Sequence, residues 1–489
     1  MMVLAVALSS CQKFEELEKD PNRPGEVPPS LVFTNVLYGM YYSPWSDEQR
    51  WNQFWCSNYA YYDDQEYDWT TTSFNYNQLK NVNQMIAEAK RIGLADNNPY
   101  SAIGKFMKAY YFIDMSMRLG DVPLTDALKS MDNTKPKYDS QKAVFKQALT
   151  WLEEANSDLQ ILNNNLDKSL TGDFMLGNDL KKWQKVVNTY KLRALINLSK
   201  KESDTDLNIK ALFAAVVNNP AKYPVMTSLD DNLKFTYNSA TDKYPLNQDN
   251  YGQTATRNNM SATYLNTLVA LKDPRTFIVA DPAPAKIKAG LTAADYEAYV
   301  GANSGESLDD MSTKMLNGEY SPISKNKYYS SYLGEPCIQI GYTELCFNIA
   351  EAINRGWVAG NAEDYYISGI KASWTFHGVQ SVDAKWDAYY AQPTVKLNST
   401  ASEALKQILT QKYLAFFQNS GWEAYNNYRR TGVPTFLTGP GTANSSRIAK
   451  RWQYPSSERT TNADNYKAAL ISQFGAETDD INSEMWIIK

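Results

Sequence analysis

The sequence predicts a mostly α-helical protein whose helices form four consecutive antiparallel pairs, interrupted by a loop-rich face with a few short strands. Three observations predict it. Apolar residues recur at the 3.6-residue helical period on both flanks of the chain. Between those flanks, residues 223–332 are dense in Asn, Thr, Ser, Pro and Gly, the composition of loops. The breaks between periodic stretches fall at Gly and Pro, where helices stop and start. The chain has 489 residues and a formal charge of −5, from 49 basic and 54 acidic side chains. That length can bury a large core. The acidic balance argues against a nucleic-acid binder, which carries a basic stripe. An apolar fraction of 43% argues against disorder. Nowhere does an apolar run approach the roughly 18 residues of a membrane-spanning helix.

The first ten residues are apolar or small and run into Leu8-Ser9-Ser10-Cys11. This pattern resembles a lipobox, in which Cys11 is acylated and becomes the mature N-terminus. Several acyl chains on one residue give stable membrane attachment. The apolar stretch is short and no Lys or Arg precedes it, so a start codon further upstream is expected. Residues 1–10 then read as a truncated signal peptide. Residues 11–30, with Glu15, Glu16, Asp20 and a run of Pro and Gly, read as a tether.

The first helix places Leu79, Val82, Ile86 and Ala89 on one face and ends near Gly93. Pro99 opens the second, with a stripe of Ile103, Phe106, Met107, Tyr110 and Ile113, which stops near Gly120 and Pro123. The third runs from about Ser140, with Val144, Ala148, Trp151, Leu152 and Ala155 inside. The fourth carries Trp183, Val187, Tyr190, Ala194 and Leu198. Only short helical patches, such as Ala262 to Leu271, stand out in the region that follows. Helices resume over Tyr342 to Ala359, Ala362 to Phe376, Ala401 to Phe417 and Gly421 to Arg430. The pairs fall at about 79–120, 140–200, 342–377 and 401–430, within a single domain over 31–489 that carries an insertion at about 223–332. Such pairs resemble tetratricopeptide units, although the repeat of about 34 residues is not kept.

The densest chemistry lies between Tyr41 and Tyr76, where 36 residues hold 13 aromatics, six acids and a single base, Arg50. Sugar rings have apolar C–H faces and polar edges. A sugar binder therefore needs flat aromatic platforms beside polar side chains. Tyr59, Tyr61, Tyr62, Tyr67 and Trp69 are candidate ligand contacts, with Asn58, Asp63 and Asp64 among them. Trp51, Phe54 and Trp55 sit at i, i+3 and i+4 and are expected in the core. A second cluster, Tyr328, Tyr329 and Tyr332, lies in the loop-rich middle and suits ligand binding and a partner-facing surface equally. The two clusters are expected to approach each other on the loop face.

Asp63-Asp64-x-Glu66-x-Asp68 is rich in the oxygens that hard cations take, but it lacks the spacing of an EF-hand loop and reads as a solvated acidic turn. His377, the single histidine, leaves no set of partners for a His-based zinc site and reads as part of a helix C-terminus. The four cysteines contain no C-x-x-C pair. Cys337 and Cys346 could pair, but the odd number left after Cys11 argues against a fully paired framework. No cofactor or metal is implied.

Gln407-Ile408-Leu409-Thr410-Gln411-Lys412-Tyr413 precedes Glu423-Ala424-Tyr425 and Arg429-Arg430-Thr431-Gly432-Val433-Pro434. Then come Arg451-Trp452-Gln453-Tyr454-Pro455-Ser456-Ser457-Glu458, Asn462 and Trp486. Upstream stand Asp273-Pro274-Arg275, Tyr342-Thr343-Glu344, Ala350-Glu351-Ala352 and Tyr366-x-x-Gly369-Ile370-x-Ala372-Ser373. This order and spacing resembles the SusD/RagB family of nutrient-binding outer-membrane lipoproteins, in its second SusD-like subfamily, over essentially the whole chain from Cys11. The resemblance implies a SusD-like fold on four tetratricopeptide-like pairs. It implies anchorage in the outer membrane, facing the exterior, and lid-like association with a SusC-type TonB-dependent barrel transporter. It implies capture of oligosaccharides or other nutrients without catalysis. The Arg429-Arg430 block itself reads as fold: Gly432 and Pro434 stop a helix, and two cations suit its negative end. Two other readings stay open on the residues alone. One is a glycoside hydrolase, for which two carboxylates roughly 5–10 Å apart suffice. The other is a helical adaptor whose aromatics only pack.

Overall fold

The computed structural model describes residues 26–59, 64–70 and 72–489. Cys11 and the first part of the tether therefore lie outside the described residues. Eight helices carry the frame: α1 Tyr76–Arg91, α2 Pro99–Leu119, α3 Gln141–Asn164, α4 Leu180–Asn197, α5 Tyr342–Asn354, α6 Ala362–His377, α7 Ala401–Ala415 and α8 Glu423–Thr431. Local chemistry sets their ends. Asn98 and Ser101 form a reciprocal capping box ahead of α2, with Pro99 in its first turn. The Ser140 hydroxyl accepts from Ala143 N, and the Asp179 carboxylate accepts from Lys181 N and Lys182 N in the first turn of α4. Gly378 and Gly432, at φ 86° and 74°, close α6 and α8 in the left-handed conformation. Helix α5 stops five residues before the expected Ala359. Gly356 turns the chain at φ 72°, and Trp357 N bonds back to Ala352 O at 2.8 Å.

Helices α1 to α4 each pack on the next, α5 packs on both α6 and α7, and α4 touches α5, which joins the two halves. The expected stripes face inward: Val82, Phe106, Val144 and Trp183 are all 0% exposed. Further helices at Pro29–Tyr38, Ile209–Asn218, Val382–Tyr390 and Ala463–Phe474 lie outside the eight that periodicity picks out. The insertion holds the short helices Leu308–Leu316 and Lys325–Tyr328 among long loops. Among the described residues there are four short strands, β1 Trp55–Ser57, β2 Leu233–Phe235, β3 Asn258–Met260 and β4 Cys337–Ile340, of which β2 and β3 belong to the insertion. They form two antiparallel pairs, β1 with β3 and β2 with β4. No helix of the described residues is long and apolar enough to cross a membrane.

The sequence blocks rich in Arg and Glu form buried ion pairs. Arg193 of α4 donates to Glu344 of α5 (Nε to Oε1, 2.8 Å), and Arg430 of α8 donates to Glu351 of α5 (Nη2 to Oε2, 2.8 Å). Asp273 and Arg275 are both 0% exposed and paired twice, at 2.9 and 2.8 Å. Ser373 and Gln411 accept two further guanidinium hydrogens of Arg275. Arg451 is buried against Asp479, whose other oxygen accepts from Tyr454 N at 2.9 Å. Arg429 does not serve the end of its own helix, as the sequence suggests. It reaches Met117 O and Lys450 O, at 2.7 and 2.9 Å, and ties α8 to other segments. Buried charges persist only when paired and hydrogen-bonded, so these blocks hold elements together.

Candidate functional site

The site grows from the β1–β3 pair. Ser57 lies opposite Asn258, and beyond the strand Asn58 N donates to Arg257 O at 2.9 Å. The Gln65 amide closes the loop after β1 by bonding both Ser57 N and Ser57 O, at 2.7 and 2.8 Å. This ties Gln65 to the end of β1. Tyr59, 51% exposed, has the Arg257 guanidinium 5.7 Å from its ring centroid.

The other end of the same strap, residues 249–257, meets the second tyrosine cluster. Tyr332 Oη donates to Asp249 at 2.8 Å, and Lys243 Nζ lies 4.0 Å over the Tyr332 ring while pairing with Asp249. The half-buried Tyr251 packs edge-on to Tyr329, and Lys325 Nζ sits 4.4 Å over its ring. Thr254 donates to Tyr329 Oη at 3.1 Å. Tyr59, Tyr251 and Tyr332 therefore stand along one strap, each with a cation over one ring face. Each aromatic cluster touches a segment that neither contains, Tyr59 at its Arg257 end and Tyr332 at its Asp249 end. Sequence reasoning missed Tyr251, Gln253, Arg257, Lys243 and Lys325. Asn250-Tyr251-Gly252-Gln253 carries the same mixture of aromatic and amide residues that singled out residues 326–332, and that signal could have found it.

Five of the expected ligand contacts are corrected by their burial. Trp69 is 4% exposed, stacked on Trp452 with centroids 4.0 Å apart and planes 9° apart, inside a cage of Trp51, Trp422 and Tyr425. Tyr67 is buried and its hydroxyl donates to Trp51 O at 2.7 Å. Tyr328 is fully buried between Trp45 and Tyr244. Tyr329 is buried under Tyr251 and Thr254, and that burial pushes its hydroxyl pKa up to about 12. Asn58 is buried too, and its side chain holds Thr256 O at 3.2 Å. A ring closed in on both faces offers a sugar nothing to stack on. Asp64 is half-buried and its carboxylate accepts from Glu66 N at 2.9 Å, which makes it a turn-former. Tyr61, Tyr62 and Asp63 lie outside the described residues. As expected, Phe54 and Trp55 are core, and the half-buried Trp51 stacks on Trp422.

Cys56, Cys337 and Cys346 are buried free thiols, and Cys337 Sγ donates to Tyr42 O at 3.2 Å. His377 ends α6 with its ring fully buried, Nδ1 3.6 Å from Glu335 Oε1, while Gly378 closes the helix. Among the described residues no group of His, Cys, Asp and Glu is arranged to hold a metal ion.

Frame, insertion and strap together define a helical scaffold that displays aromatic rings on a loop face. The family model described as SusD-like, "starch-binding associating with outer membrane", matches residues 21–455, and the chain belongs to that family. Two SusD homologues from Bacteroides fragilis NCTC 9343 are similar in structure. One is 31% identical with a TM-score of 0.84, and the other 30% identical with a TM-score of 0.82. Each match covers 95% of this chain and 100% of the other. A chitin-binding SusD homologue from Flavobacterium johnsoniae shares the fold at 20% identity and a TM-score of 0.71, over 94% of this chain and 95% of its own. No curated protein matches the chain.

Proposed function

We propose that this protein captures an oligosaccharide, or a nutrient of similar shape, on the Tyr59–Tyr251–Tyr332 face and delivers it to a SusC-type TonB-dependent barrel. The observation that carries the reading is the row of three solvent-reaching tyrosines along one strap, in a chain of a family described as starch-binding. A sugar ring stacks on the tyrosine surface that reaches solvent, and Gln253 and Lys325 offer hydrogen bonds to its hydroxyls. The reading requires binding and release without catalysis. The chitin-binding relative favours a glycan over other nutrients. Anchorage through Cys11 keeps the protein at the outer membrane, facing the exterior, where its effective concentration beside the barrel is high. Calorimetric titration with a panel of neutral oligosaccharides tests the ligand. Purification in mild detergent tests the partner, which should co-purify as a barrel of much larger mass. Saturable binding to none of the panel would exclude the glycan reading, and recovery of the protein always alone would exclude the partner.

A further inference from the structure

A second cleft lies away from the strap. It has a volume of about 740 Å³, within the usual range for small-molecule sites. One wall is the segment after the helix Ala262–Ala270, where Lys272 and Phe277 stand. The other is the exposed face of the helix Val382–Tyr390, which presents Ala384, Lys385 and Ala388. Phe277 is 36% exposed, and its ring packs against Tyr296 with centroids 4.4 Å apart. The Tyr296 hydroxyl is already committed, donating to Lys272 O at 2.7 Å. Its ring is thereby held at the rim beside Phe277. The Gln392 amide nitrogen is likewise committed, to Leu271 O and Tyr389 O, which leaves its side-chain oxygen as an acceptor.

The charges are what distinguish this cleft. Lys272 and Lys385 come from separate elements and both are exposed, and neither ammonium has an ion-pair or hydrogen-bond partner among the described residues. None of the described residues lining the cleft is Asp or Glu, although the chain as a whole is acidic. Unpaired cations beside an apolar floor match a ligand with flat, partly apolar rings that carries negative charge. We propose that this cleft is a second saccharide site, selective for oligosaccharides bearing carboxylates, such as uronates; the proposal rests on the reading of the protein as a glycan binder. The sugar face lies on Phe277 and Tyr296, and carboxylates approach Lys272 and Lys385.

The test titrates the full chain with trigalacturonate and, separately, with its methyl ester, which keeps the rings and removes the charge. Trigalacturonate should bind saturably, at least tenfold more tightly than the ester, and more weakly as salt is raised. Lys272→Gln with Lys385→Gln should weaken trigalacturonate at least tenfold, as should Phe277→Ala, with melting temperatures recorded alongside. Equal binding of acid and ester, no trigalacturonate binding, or an unchanged affinity in the lysine pair variant would each overturn the proposal. So would saturation by triglutamate in preference to trigalacturonate, which would assign the cleft to acidic peptides. If neutral oligosaccharides bind while trigalacturonate does not, only this inference falls. If no saccharide of either kind binds, the proposed function falls with it.

Discussion

Arg430 and Glu351 are 79 residues apart in sequence and meet in the core, Nη2 to Oε2 at 2.8 Å, with both side chains all but sealed from solvent. Asn427 takes a second hydrogen from Arg430, also at 2.8 Å, and Arg355 donates to Glu351 at 2.9 Å. Arg430→Met strands a carboxylate that has lost its main partner. Unfolding free energy in urea should fall by about 3–5 kcal/mol. A loss below about 1 kcal/mol would show that Arg355 and Lys412 suffice.

The same cluster sets an acid limit. Burial alone would raise the Glu351 pKa, but Arg430, Lys412 and Arg355 outweigh it and hold it at about 2, against 4.5 ordinarily. A carboxyl with a depressed folded-state pKa adds stability that is complete above its unfolded value and disappears as pH falls through the folded one. Urea midpoints should therefore drop between about pH 4.5 and 2. Glu351→Gln should flatten that drop while lowering stability at neutral pH.

Trp69 belongs to the core. Trp69→Ala empties one side of the stack on Trp452 and should cost about 3–5 kcal/mol, read as a lower urea midpoint. Wild-type stability in that variant would mean that the cage closes without the indole.

Tyr59 and Tyr332 are the rings to remove for function. Each stack is worth on the order of 1 kcal/mol, so the double change to Ala should weaken binding of a neutral oligosaccharide about ten- to thirtyfold. The melting temperature should fall by less than about 4 °C. A large thermal loss with unchanged affinity would move the site off the strap.

Cys11→Ser should leave a folded protein in the soluble fraction, because the anchor lies upstream of the helical frame. Membrane retention of this variant on cell fractionation would remove the lipobox from the account.

What the sequence alone determined was the helical frame and the family. Helices α2, α6, α7 and α8 lie within about two residues of their expected limits at both ends, because periodic stripes and caps such as Asn98 and Gly378 act within a turn or two of where they are written. The Arg-rich blocks were legible as fold, but their partners were not, since Glu351 and Arg430 meet only when α5 and α8 pack. Helices such as Val382–Tyr390 were missed, because its exposed Ala384 and Ala388 leave too weak a stripe to read. The site was half legible. Composition drew the eye to Tyr59 and Tyr332, and equally to Trp69 and Tyr328, because an aromatic among polar neighbours looks the same whether it stacks on a sugar or on another ring. Only the tertiary structure sorted them, by bringing Trp452 over Trp69, Trp45 beside Tyr328, and residues 249–257 between the two rings left in solvent. Burial depends on elements distant in sequence, and local pattern does not record it.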